Sequence, residues 1–178
     1  MVDIVIRALP YFWVGFVIVV ALALAAARHT ARLLRGSSAL SFLFIAAAGG
    51  VLILTLLPTI GSGGSTFRCA SFELPPDFLS QLSTVTVESL NLVLFIPVSF
   101  LAVFVTPRVI ARSIICASVV VAAPLIETVQ FLFPELRGSC FQLTTVVANE
   151  IGVGLGFMAA AITFLVQKVL AGTPPENL

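Results

Sequence analysis

The sequence predicts an all-α membrane protein, a bundle of about five transmembrane helices with a short amphipathic helix in an external loop. Three observations carry this. Hydrophobic residues make up 60% of the chain and charged residues 10%, with a mean hydropathy of +1.18. A soluble domain carries roughly a quarter charged residues, so this composition cannot cover a water-facing surface. It excludes a soluble enzyme, a nucleic-acid binder and a disordered segment. Second, five apolar stretches, residues 9–27, 39–57, 89–105, 113–133 and 145–166, each reach the ~17–25 residues that a bilayer-crossing helix needs. Third, of seventeen charged residues only Glu127 and Glu150 fall inside those stretches. No internal repeat or soluble appendage is visible, so residues 1–178 read as one transmembrane domain.

Each element has its own punctuation. The first stretch opens on Tyr11 and Trp13, which suit the membrane interface. Its Ala25-Ala26-Ala27 end resembles a signal-peptide cleavage site, but the apolar run is too long and its leading end too weakly basic, so an uncleaved span is expected. Pro58 and Gly61-Ser62-Gly63-Gly64 stop the second stretch. In the loop that follows, from Pro58 to about Glu88, residues 77–85 place apolar side chains at i, i+1, i+4 and i+7. That pattern predicts a helix lying on the outer surface. Pro107 divides the third stretch from the fourth, and Pro134 with Gly138 turns the fourth into the fifth. Pro97 and Pro124 lie within stretches and read as kinks. Gly152 and Gly156 form a GxxxG pair around Gly154, a signature of close helix approach.

Basic residues set the expected orientation. Arg28, Arg32 and Arg35 fall in the first connection, Arg108 and Arg112 in the third, and Lys168 after the last stretch, against Arg7, Arg68 and Arg137 on the other side. The positive-inside tendency then puts the N-terminus outside and the C-terminus in the cytoplasm. On this topology Cys116 is a packing residue within the fourth span, whereas Cys69 and Cys140 both lie in external loops. An oxidising outer compartment would let those two pair. No CxxC or paired Cys/His spacing points to zinc, and no metal or other cofactor is implied.

Ionisable and amide side chains inside a membrane are costly, so each calls for a partner or a role. At about 1.5 Å per residue, Glu127 lies roughly 9 Å below the outer end of its span and Gln130 about 4.5 Å below. The same rise puts Asn91 at ~3 Å, Asn149 at ~6 Å and Glu150 at ~7.5 Å, with Glu88 at the lip of the third span and Arg137 in the loop above. Three helices thus bring polar groups to one layer in the outer half of the membrane. A polar belt that only ties helices together competes with a binding site there, most strongly for Asn149, which shares a face with Gly152 and Gly156.

The order and spacing of these residues resemble the VanZ-like family over residues 91–156. Asn91, Phe95 and Pro97 look like the family's N-x-x-x-F-x-P, Glu127 and Gln130 like its E-x-x-Q, and Asn149, Gly152 and Gly156 like its N-x-x-G-x-x-x-G behind an Arg137 loop. The chain departs from that pattern at Ser99, where the family has Gly, and at Thr145, where it has Asp. Arg137 is also a little farther from Asn149 than is usual. The resemblance implies a small bacterial cell-envelope protein linked to teicoplanin-type glycopeptide resistance. Its expected partners are membrane lipids and, at the polar layer, a lipid-linked wall precursor or the glycopeptide; no nucleic acid is expected. The alternative is an intramembrane hydrolase or transferase acting on a lipid or lipid-linked wall precursor, with Glu127 as general acid or base. His29, the only histidine, lies in the cytoplasmic connection, and neither H-E-x-x-H nor G-x-S-x-G occurs. A small carrier fits less well, because the chain has no internal repeat and the polar layer stops in the outer half.

Overall fold

The computed structural model describes residues 11–56, 69–84, 86–133 and 140–172. Helices dominate it: α1 Phe12–Leu34, α2 Ser38–Leu56, α3 Phe78–Leu82, α4 Val87–Phe104, α5 Val109–Leu132 and α6 Leu143–Gly172. Two short strands, β1 Cys69–Ser71 and β2 Cys140–Gln142, pair in parallel. Four helices, α1, α2, α5 and α6, are long and apolar enough to cross a membrane, while the apolar part of α4, Ser89–Phe104, is shorter. The chain is a multi-pass membrane protein built as an all-α bundle. Its outer surface agrees with that, since Val14, Val17, Leu24, Ile110, Ile114 and Leu165 are all exposed, a load of apolar surface that only lipid accommodates.

α4 is the centre of the bundle. Phe95, Val98 and Ala102 from α4 meet Val51 of α2, Val119, Ala123 and Ile126 of α5, and Val153 of α6 in one buried cluster. α1 packs against α2 and buries a stripe of small residues, Ala23, Ala27 and Ala31. The closest approach is between α4 and α6. A Cβ at Gly152 would collide with the Leu92 carbonyl oxygen, and one at Gly156 with the Ile96 carbonyl oxygen and Ser99 Oγ. Gly154 faces open space, so the GxxxG pair packs and the glycine between it does not. Contacts at Leu92–Gly152, Ile96–Gly156 and Phe104–Phe164 keep a constant sixty-residue offset. α4 and α6 therefore run side by side in the same direction.

The basic residues expected in loops are partly helical. α1 continues to Leu34, so Arg28 and Arg32 lie on its last turns and only Arg35 stands in the connection to α2. Ala, Arg and Leu all favour helix, and long arginine stems can reach the interface from within one. Lys168 likewise belongs to α6. α1 ends because Arg35 adopts a left-handed conformation (φ 54°), with the Gly36 N–H donating back to the Ala31 carbonyl at 2.9 Å. A side chain at Gly36 would meet the Val105 carbonyl oxygen. This end of the bundle is further tied by Thr106 Oγ1, which donates to the Leu34 carbonyl (2.7 Å), and by Arg108, which donates to the Leu33 carbonyl (3.2 Å). Arg112 donates twice to the Thr106 carbonyl, at 3.2 and 3.0 Å, and lies 5.7 Å from the Phe164 ring centroid. The α1–α2 and α4–α5 connections thus sit together at one end, and the two strands lie at the other.

The surface helix is shorter than the amphipathic pattern over 77–85. α3 closes after one turn because Ser83 Oγ and Thr84 Oγ1 donate back to the Ser80 and Gln81 carbonyls, at 2.7 and 3.0 Å, a competition typical of hydroxyl side chains. Phe78 is its buried residue and Leu79 faces outward. α4 then starts on a capping box: Ser89 N–H donates to Thr86 Oγ1 and Thr86 N–H donates to Ser89 Oγ.

Candidate functional site

The polar layer forms where α5 ends and α6 begins. Glu127 lies one turn inside the C-terminal end of α5 and is 3% exposed. Its Oε1 accepts the backbone N–H of Gln142 at 2.8 Å. Gln142 is the last residue of β2 and immediately precedes α6, so the carboxyl group sits at the N-terminus of that helix. Helix starts present N–H groups without intrahelical partners, and an acidic side chain is a natural acceptor there. The Gln142 side chain extends the chain of contacts, with its Oε1 accepting from Thr145 Oγ1 at 3.3 Å. Thr145 is buried as well. Glu127, Gln142 and Thr145 form one connected group across α5, β2 and α6.

Gln130 turns the other way. Its Nε2 donates to the Thr55 carbonyl on α2 in a short hydrogen bond, which spans α5 and α2 at the end of the bundle that carries the strands. Thr55 Oγ1 in turn donates to the Val51 carbonyl at 2.7 Å. Gln130 and Glu127 share a stretch of α5 but bind different neighbours, so the E-x-x-Q pair straps α5 to α2 on one side and to the α6 start on the other. Asn149 is 2% exposed, and among the described residues its Oδ1 has no hydrogen-bond partner. An acceptor buried in that way costs ~1–3 kcal/mol. On the α4–α6 offset, Asn91 stands level with Ile151, within one turn of Asn149; it is half-buried, as is Glu150. Arg137 lies outside the described residues, as does the Glu88 side chain, although the Glu88 backbone belongs to α4. Among the described residues, no group of three His, Cys, Asp or Glu side chains could hold a metal ion.

The two departures from the family-like pattern have local explanations. Ser99 is fully buried against Gly156, and its hydroxyl folds back to donate to the Phe95 carbonyl (2.8 Å) and the Ile96 carbonyl (3.1 Å). Gly156 makes the room that a glycine at 99 would otherwise supply. Thr145 reaches Gln142 with its hydroxyl, and Gln142 was not among the residues singled out from sequence. The signal for it lay in its place three residues before Thr145, at a helix start where main-chain N–H groups need acceptors.

Below the polar layer runs an apolar cavity of about 310 Å³ between α2, α4 and α5, lined by Phe44, Val51, Phe95, Val119 and Ile126 among others. Ile126 adjoins Glu127 in sequence, so the hydrocarbon-like space begins just beneath the carboxyl group's level. Comparisons with family models, with curated proteins and with solved structures find no match to this chain.

Proposed function

We propose that the chain is a bacterial cell-envelope protein of the VanZ-like kind. Its polar layer faces the outer leaflet and engages the headgroup of an amphipathic ligand, a lipid-linked wall precursor or a teicoplanin-type glycopeptide. The observation that carries this reading is Asn149: a buried amide whose acceptor oxygen has no partner among the described residues, in the same layer as buried Glu127. Protein interiors rarely leave such an acceptor unpaired, and a ligand N–H or O–H would satisfy it. The apolar cavity beneath Glu127 supplies room for a hydrocarbon tail, so polar and apolar surfaces follow each other in the order an outer-leaflet lipid presents them. The motif resemblance over residues 91–156 supports the link to glycopeptide resistance.

The orientation belongs to the same reading. Exposed Arg28, Arg32, Arg35, Arg108 and Lys168 gather toward the end opposite the strands, as cytoplasmic residues do. In a cysteine-free background, Ser83→Cys is expected to react with a membrane-impermeant maleimide on intact cells, and Ser37→Cys only after permeabilisation.

The decisive test expresses the chain in a glycopeptide-susceptible bacterium and measures teicoplanin sensitivity. The parent should protect, and Asn149→Ala and Glu127→Gln should lose protection at unchanged protein level. Glu127→Gln keeps an acceptor oxygen for the Gln142 N–H, so the helix start survives in it. Full protection by both variants would refute the site.

A further inference from the structure

Cys69 and Cys140 stand in separate loops of the sequence, yet the fold makes them register partners. β1 and β2 pair in parallel with Cys69 opposite Cys140, Ala70 opposite Phe141 and Ser71 opposite Gln142. Paired strands lie roughly 4.7–4.9 Å apart, and a disulfide joins Cα atoms about 4.4–6.8 Å apart. Register partners also share one face of a ladder, whereas a slip by one residue would put them on opposite faces. The backbone register therefore meets the distance that a disulfide requires. The register is held independently of the cysteines by the Phe72 and Phe141 rings, whose centroids are 5.7 Å apart.

We propose that Cys69 and Cys140 are joined by a disulfide that locks β1 to β2 and, through it, the start of α6. The proposal rests on the outward orientation of this loop argued above, because only an oxidising compartment keeps such a bond. In the reaction, one cysteine thiolate attacks the disulfide of a thiol–disulfide oxidoreductase and forms a mixed disulfide. The second cysteine displaces the oxidant's sulfur from it. Two S–H bonds are lost and one S–S bond forms, while two electrons and two protons pass to the oxidant, which leaves as a dithiol.

The consequence reaches the polar layer. Gln142, whose N–H holds Glu127, is two residues beyond Cys140 on the same strand. A covalent tie at Cys140 limits how far that N–H can drift from the carboxyl group. The bond is thus a positioning element for the site as well as a staple for the loop.

The test traps thiols in intact cells with a permeant maleimide, then counts adducts on the full-length chain by intact mass. One adduct, on Cys116, is expected, rising to three when the chain is reduced first. Cys69→Ser and Cys140→Ser should each show two adducts without reduction. Three adducts on the unreduced parent would overturn the disulfide. Ser83→Cys then separates the causes: labelled from outside, the orientation stands and only the bond fails; protected, the orientation fails and takes the bond with it.

Discussion

At the scale of single residues, the bundle turns on a few small or amide side chains. Gly152 and Gly156 let α6 touch the α4 main chain, and the colliding atoms there include the Leu92 and Ile96 carbonyl oxygens, which cannot rotate aside. Gly156→Val is therefore expected to destabilise the protein by about 1–3 kcal/mol or more, as overpacking does, whereas Gly154→Ala, facing open space, should be neutral. Thermal unfolding in detergent reads both. Gln130→Leu removes the strap to the Thr55 carbonyl, and an interhelical hydrogen bond in a membrane is worth about 0.6–2 kcal/mol. A loss in that range, with teicoplanin protection retained, is the expected outcome and would separate the strap from the site.

At the scale of elements, helix positions were the most legible part of the sequence because the hydrocarbon core imposes a length and forbids charge. The five apolar stretches correspond to α1, α2, α4, α5 and α6. Their ends were not legible, since Arg28, Arg32 and Lys168 can stay helical while their charged tips reach water. The β1–β2 ladder was hidden for a different reason. Three residues per strand carry no useful alternation, and their partners are some seventy positions apart. The site was half legible: Glu127 and Asn149 stood out because burial of such groups is rare, but the partner of Glu127 is a main-chain N–H, and a backbone donor has no sequence signature. That partner gives a prediction. Gln142→Pro deletes the N–H while preserving a helix start, and should weaken protection as is expected of Glu127→Gln, measured as teicoplanin sensitivity at matched protein level. Gln142→Ala keeps the N–H, loses only the Thr145 contact, and should stay near the parent.

At the scale of the whole molecule, the two ends of the bundle are built differently. One is tied by Thr106, Arg108 and Arg112 to main-chain carbonyls, and the other by carboxyl, amide and strand contacts. Replacing Arg108 by Ala removes one of the first set, the bond to the Leu33 carbonyl. It is expected to lower thermal stability without changing teicoplanin protection, because the polar layer lies at the opposite end. The parallel course of α4 and α6 has a further consequence, for biogenesis. Two neighbours pointing the same way must be separated in the chain by a return crossing, here α5, so their shared seam cannot close when α4 first enters the membrane. It waits until α6 has been synthesised and threaded beside it. A nascent chain halted before Gly152 would leave the Leu92 and Ile96 side of α4 uncovered in lipid. The last fifth of the protein thus completes the assembly of a helix inserted long before, and quality-control proteases would meet shortened products with that seam still open.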